Sequence, residues 1–210
     1  MTLQNRVDPW GNLTNAPARG AWLGNRGILH NDQKEIIAPW RHKSWVTCQT
    51  EFKGIKRKPF SPGQYSELFF LDEATALSAG HRPCAHCRRD RFKEFKSLWQ
   101  TALSEGAQLN CAAASDMDKR LHSERATRGD GKVTFQTAFG MVPNGAFIEH
   151  GERALLLWQG QLHSWSAHGY STAGVTVEPS ATVTVITPAS TVRVLALGFR
   201  PQVHESVQNP

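Results

Sequence analysis

The sequence predicts an α+β protein, with a small α+β domain first and a mostly antiparallel β domain after it. Three observations predict this. The middle of the chain places apolar residues at helical steps among good helix formers. From Lys132 onward the texture changes to short strand-like runs separated by Gly, Asn and Pro. The 210 residues are 40% hydrophobic and 20% charged, a composition that folds around a core and excludes wholesale disorder.

Taken in order, residues 1–24 are rich in Asn, Pro and Gly and read as a fraying N-terminal arm. "RGILH" and "SWVTC" read as short strands, separated by a turn-rich segment with a proline. "SELFFLDEATALSAG" reads as a helix capped by Ser66 and stopped by Gly80. A second helix runs through "RRDRFKEFKSLWQTALSEG", where Phe92, Phe95, Leu98, Trp99 and Leu103 form one apolar face. A third starts near Ser115 or Asp116. Strands follow in "KVTFQTAF", "GAFIEHG", "RALLLWQG", "QLHSWSAHGY" and "ATVTVITP", and "STVRVLALG" reads as a helix ended by Gly198. "ALSAGHRPCAH" and "VLALGFRPQVH" echo each other, as two helices each stopped by Gly and followed by Arg-Pro. The expected organisation is an arm (1–24), a first domain (25–105), a helical basic connector (106–131) and a β domain (132–210).

The chain carries a formal charge of +6. A basic balance favours a polyanion, nucleic acid first, as the partner. No apolar run approaches the ~18 residues of a membrane span, so no membrane association is expected. The N-terminus lacks a basic start followed by an apolar run, so a cytoplasmic protein with reduced thiols is expected. Its four cysteines then read as ligands, catalytic thiols or buried apolar residues.

The stretch "AGHRPCAHCRRDRF" holds Cys84 and Cys87. A Cys-x-x-Cys turn sets two thiolates on one side of a tight loop, half of a tetrahedral Zn2+ site. A redox pair fits less well, because such a pair starts a helix just after a strand. Cys48, on "SWVTC", is the nearest further thiol. His30, His42, His81, His86 and Cys111 are candidates for a fourth ligand.

At these residues the chain resembles a family. "EATALSAGHRPCAHC" is similar to the segment of the Ada-type zinc domain that reads Ala-Leu-x-Ala-Gly, an aromatic, a basic residue, then Pro-Cys-x-x-Cys. The resemblance is sharp over about fifteen residues and looser from about 24 to 99. It implies that Cys84 and Cys87 are zinc ligands and that Cys48 is one of the family's first cysteine pair. The other member of that pair is absent: Ser44 and Phe52 stand four residues to either side. In that family a zinc thiolate takes a methyl group from a DNA phosphotriester. Three cysteines and a histidine carry less negative charge than four cysteines and make poorer nucleophiles. Zinc binding and contact with the DNA backbone are therefore the implied properties, with Cys48 the sulfur to test for alkyl acceptance. For the fourth ligand the expectation is His30, at the end of a predicted strand beside "SWVTC".

Basic clusters flank the cysteines. Lys53, Lys56, Arg57 and Lys58 form one; Arg82, Arg88, Arg89 and Arg91 form another. Converging on one face, they would suit phosphate contacts in DNA repair or regulation. A third cluster, His122, Arg125 and Lys132 with Arg120 and Arg128, is the candidate catalytic site of an alternative reading. That alternative is a nucleic-acid-processing enzyme such as a lyase, glycosylase or phosphodiesterase, helped by His150, His163, His168 or His204. Trp165 and Tyr170 beside His163 and His168 read as barrel packing or as a base-stacking surface.

Overall fold

The computed structural model describes residues 2–55, 58–104, 113–127 and 131–208. Among the described residues, twelve short strands form two mostly antiparallel sheets, two more form a ribbon, and four α-helices pack with them, an α+β fold with a β domain. The first sheet contains β1 (Arg6–Val7), β2 (Leu13–Thr14), β3 (Trp22–Asn25), β4 (Val46–Gln49), β5 (Leu68–Phe70) and β6 (Arg82–Pro83), in the order β2-β1-β5-β3-β4-β6. Its pairs are antiparallel except β1 with β5 and β4 with β6. A ribbon follows, β7 (Ala126–Thr127) and β8 (Gly131–Lys132). The second sheet is wholly antiparallel: β9 (Phe135–Ala138), β10 (Phe147–His150), β11 (Arg153–Trp158), β12 (Gln161–Ser166), β13 (Gly169–Thr172) and β14 (Thr182–Val185) run in the order β13-β12-β11-β10-β14-β9.

The helices are α1 (Glu73–Ser78), α2 (Arg89–Ser104), α3 (Ala114–Ser123) and α4 (Ala189–Ala196). On α2 the predicted face packs as expected, with Phe95, Trp99 and Leu103 buried and Phe92 and Leu98 against them. That cluster also takes in Leu77 of α1, Met117 and Leu121 of α3, Ile148 and Leu155 of the second sheet, and Val194 of α4. A second cluster joins Leu71 and Ala74 to Phe147, Leu156 and Tyr170. The two halves of the chain thus meet in common cores around α1 and α2.

Three local expectations are corrected. The lead-in is no fraying arm: β1 lies between β2 and β5, and Asn5 and Val7 are buried. "SELFFLDEATALSAG" is not one helix. Its Leu-Phe-Phe run is strand β5, and α1 begins only after Asp72, whose carboxylate accepts from Thr75 N–H at 2.8 Å. Ser66 instead hydrogen-bonds Leu29 N–H at 2.8 Å. The strand expected at "RGILH" lies upstream, at β3, and Gly27 with φ +103° turns the chain away after it.

The echo between the two Gly-x-Arg-Pro segments is a shared helix stop. His81 N–H reaches Ala76 O and Gly80 N–H reaches Leu77 O, both at 2.9 Å; Phe199 and Gly198 repeat the pattern on Val194 and Leu195. These are the paired bonds of a Schellman motif, with Gly80 at φ +88° and Gly198 at φ +102°.

Directly after the knuckle, Arg88 enters a buried ion pair with Glu73 at 2.7 Å, and Arg91 adds a second at 2.8 Å. The same carboxylate accepts from Gln202 N–H at 2.9 Å. Glu73→Gln keeps the shape and leaves the buried Arg88 guanidinium without its counter-charge, while Arg91 keeps only that of Glu94. It is expected to lose about 3–5 kcal/mol of stability. Urea denaturation should show this as a lower midpoint with an unchanged slope.

Candidate metal centre

Cys48 sits on β4, opposite Leu23 of β3. The parallel pairing of β4 with β6 sets Val46 beside Arg82 and Thr47 beside Pro83, and Cys84 N–H continues it by bonding Thr47 O at 2.9 Å. Sheet pairing therefore carries the Cys84–Cys87 turn alongside the Cys48 strand. The three sulfurs lie within 4.8 Å of one another and are half-buried. Tetrahedral zinc with Zn–S bonds of about 2.3 Å sets sulfurs ~3.8 Å apart, so the trio fits such an ion. His86 N–H points at Cys84 Sγ, 3.4 Å away.

The three sulfurs act as one unit. The hydrogen bond from Cys48, with help from the backbone N–H groups of Cys87 and His86, brings the Cys84 thiol down to about 4 against the effect of burial. Cys48 is pushed up by that same bond and by burial. Burial raises Cys87, while Gln49 N–H stabilises its thiolate. Three soft sulfur donors so arranged can hold a metal ion.

His30 does not join them. Its Nδ1 pairs with Ser66 Oγ at 2.6 Å, its Nε2 faces Ser61 O at 3.3 Å, and its ring stacks on Phe60 at 4.6 Å. The physical reason is the upstream strand: the chain has already turned at Gly27, so His30 packs under the 60–66 loop. Among the described residues no histidine or carboxylate completes the sulfur trio. His86 is exposed, with its ring edge on Phe52 at 5.1 Å. Cys111 lies outside the described residues, as do Lys56, Arg57 and Arg128.

The expected basic face divides in two. Lys53, Lys58 and Arg89 are exposed. Arg88 and Arg91 are spent on Glu73, and Arg82 grips Asp118 with two bonds of 2.7 and 2.8 Å. Those three are structural, because an arginine beside a buried carboxylate is held there by a charge-assisted fork.

Of the alternative's residues, Arg125 and Lys132 line one cavity, and His122 Nδ1 stands 3.5 Å from Arg125 Nη2. The C-terminal histidines are elsewhere. His150 and His168 are exposed, His163 is buried in the second sheet, and His204 bonds Ser206. Trp165 Nε1 donates to Thr75 and Tyr170 OH to Asp72, so these rings serve packing rather than base stacking. Sequence reasoning missed Arg26, which lies beside Arg125 over Trp45. The hint available was a cation inside the mostly apolar run "WLGNRGIL".

Comparison with protein-family models, with curated proteins and with solved structures finds no match. No helix among the described residues is long and apolar enough to cross a membrane.

Metal analysis of the purified chain should find one bound ion, lost in Cys84→Ser and kept in His30→Gln. The His30 variant should still be less stable by about 1–3 kcal/mol, because the stack on Phe60 is lost and the buried Ser66 hydroxyl loses one of its two partners.

Proposed function

We propose that the chain is a zinc protein that contacts nucleic acid, DNA before RNA, in repair or regulation. The observation that carries this reading is the sulfur trio, drawn from two segments that the sheet sets side by side. The similarity of "EATALSAGHRPCAHC" to the Ada-type zinc domain supports zinc as the ion. The order of elements supports it too: a helix, a glycine stop, then Arg-Pro-Cys. With zinc bound, Cys48, Cys84 and Cys87 would be thiolates, giving a site of net charge −1 against −2 for four thiolates. Weaker sulfur nucleophiles follow, so zinc here has a structural role, clamping β4 to the knuckle.

Among the described residues, Lys53, Lys58 and Arg89 are the exposed members of the two cation clusters expected to contact phosphate. They are a small set, and they read phosphate rather than base edges. About three phosphate contacts predict that log K falls against log salt with a slope near −3. Arg89→Gln and Lys58→Gln should each flatten that slope by about 1. Fluorescence anisotropy with a short duplex at several salt concentrations measures it. Binding that ignores salt, or none at low salt by the zinc-loaded chain, would sink the nucleic-acid half of the reading. A chain purified without zinc and unable to take it up would sink the other half.

A further inference from the structure

A cavity of about 220 Å³ opens between the Trp10 turn, the segment around Trp40 and Trp45, and the β7–β8 ribbon. None of the three cysteines lines it, so it is separate from the metal centre. Three cations do: Arg26, Arg125 and Lys132. Arg26 and Arg125 are each 2% exposed. Both guanidiniums lie over the Trp45 ring, at 4.1 and 4.0 Å from its centroid.

Their hydrogen bonds go to neutral groups. Arg26 donates to Gly11 O at 2.9 Å and to His81 Nε2 at 3.2 Å, while its Nη2 is buried without a partner. His81 is fully buried and held well below its ordinary range by burial and by the neighbouring cations, so it accepts as a neutral ring. Arg125 donates to Gly80 O and Lys43 O, and its Nε is buried without a partner. Lys132 Nζ donates to Ser78 O, which leaves two of its three protons uncommitted to that bond.

The nearby carboxylates do not balance this charge. Asp118 is already gripped by Arg82. Asp8 acts on Arg26 and Lys132 from the turn beside Gly11. With all three protonated, the form a bound anion favours, the cations against Asp8 leave two positive charges in a desolvated site. Burial and mutual repulsion lower Arg125 to about 9 and Lys132 to about 7; burial lowers Arg26 to about 9. A buried charge without a counter-ion is costly, and a surplus of two matches one dianion.

Aromatic walls accompany the charge. Trp10 and Trp40 line the same cavity, and Trp45 carries the guanidiniums. The volume lies below the ~300–1,000 Å³ of drug-sized ligand sites. It admits a phosphoryl group and a small ring at the mouth, not a stretch of polymer. We infer that this cavity binds a phosphate monoester, its dianionic group among Arg26, Arg125 and Lys132 and its organic part against Trp10 and Trp40. A free mononucleotide and the 5′-phosphate end of a nucleic acid present the same chemistry.

Pulsed acetylation of lysines in the zinc-loaded full chain, read by mass spectrometry, tests this. Inorganic phosphate, AMP, acetate and chloride are compared at equal ionic strength. AMP is expected to slow labelling of Lys132 at least tenfold and phosphate to slow it less, with exposed Lys119 unchanged. Lys132→Met should weaken AMP binding at least tenfold by calorimetry. Should that variant fail to fold, the labelling of the native chain still decides. A 5′-phosphorylated oligonucleotide that protects as well as AMP, where its 5′-hydroxyl form does not, identifies a chain end as the source. Protection by AMP alone identifies a free mononucleotide. Equal labelling of Lys132 in AMP, phosphate and chloride overturns the inference, as does equal protection by acetate.

Discussion

Glu73 is a carboxylate with almost no exposed surface, held by Arg88, Arg91 and the Gln202 amide. Beside it, Asp72 accepts from Thr75, from the Tyr170 hydroxyl and from His204 N–H. Burial pushes the Asp72 carboxyl up, and these hydrogen bonds pull against it. Two adjacent acidic residues thereby connect the start of α1, the helix after the metal knuckle, the second sheet and the C-terminal segment. Removing one partner from such a cluster strands the rest in a desolvated place, so its members stand or fall together. The position of Cys87, one residue before Arg88, depends on it.

The same inward use of charge runs through the molecule. Arg26, Arg82, Arg88 and Arg125 are each 5% exposed or less. A formal charge of +6 is thus a poor description of the surface, because several of the counted cations face carboxylates, carbonyls or aromatic rings inside. Arginine suits this role: its planar group stacks on tryptophan while its edge donates. Arg88 does so over Trp22 at 3.8 Å, as Arg26 and Arg125 do over Trp45.

Much of the fold was legible wherever a local rule decides it. The face of α2, the glycine stops at Gly80 and Gly198, and the antiparallel strands after Lys132 follow from periodicity and turn chemistry. So does the sulfur trio, since a Cys-x-x-Cys turn needs partners and Cys48 is a thiol on a nearby strand. What failed was arbitration between neighbours. Leu68, Phe69 and Phe70 suit strand and helix equally, and only the pairing with β1 and β3 settles them. Ser66 and Asp72 are both plausible caps, and burial against Leu29 claims the first. His30 was misplaced because a strand shifted by a few residues moves every side chain after it. The cavity was half legible. Arg125 and Lys132 are near in sequence, but Arg26 and Trp45 reach them only through tertiary contacts that leave no local pattern.

Helix α1 is six residues long and every one of them is buried. Segments far apart in the chain come to it. Ser78 donates to Pro9 O, and the segment at Gln202 and His204 closes over Asp72 and Glu73. Gln202 and His204 lie 129 and 132 residues beyond the carboxylates they close over. Contacts of such long sequence separation form slowly, because most of the intervening chain must be in place before they can close. Helix α1 is therefore local in sequence and late in folding: until Gln202 and His204 arrive, the acidic pair keeps open bonds.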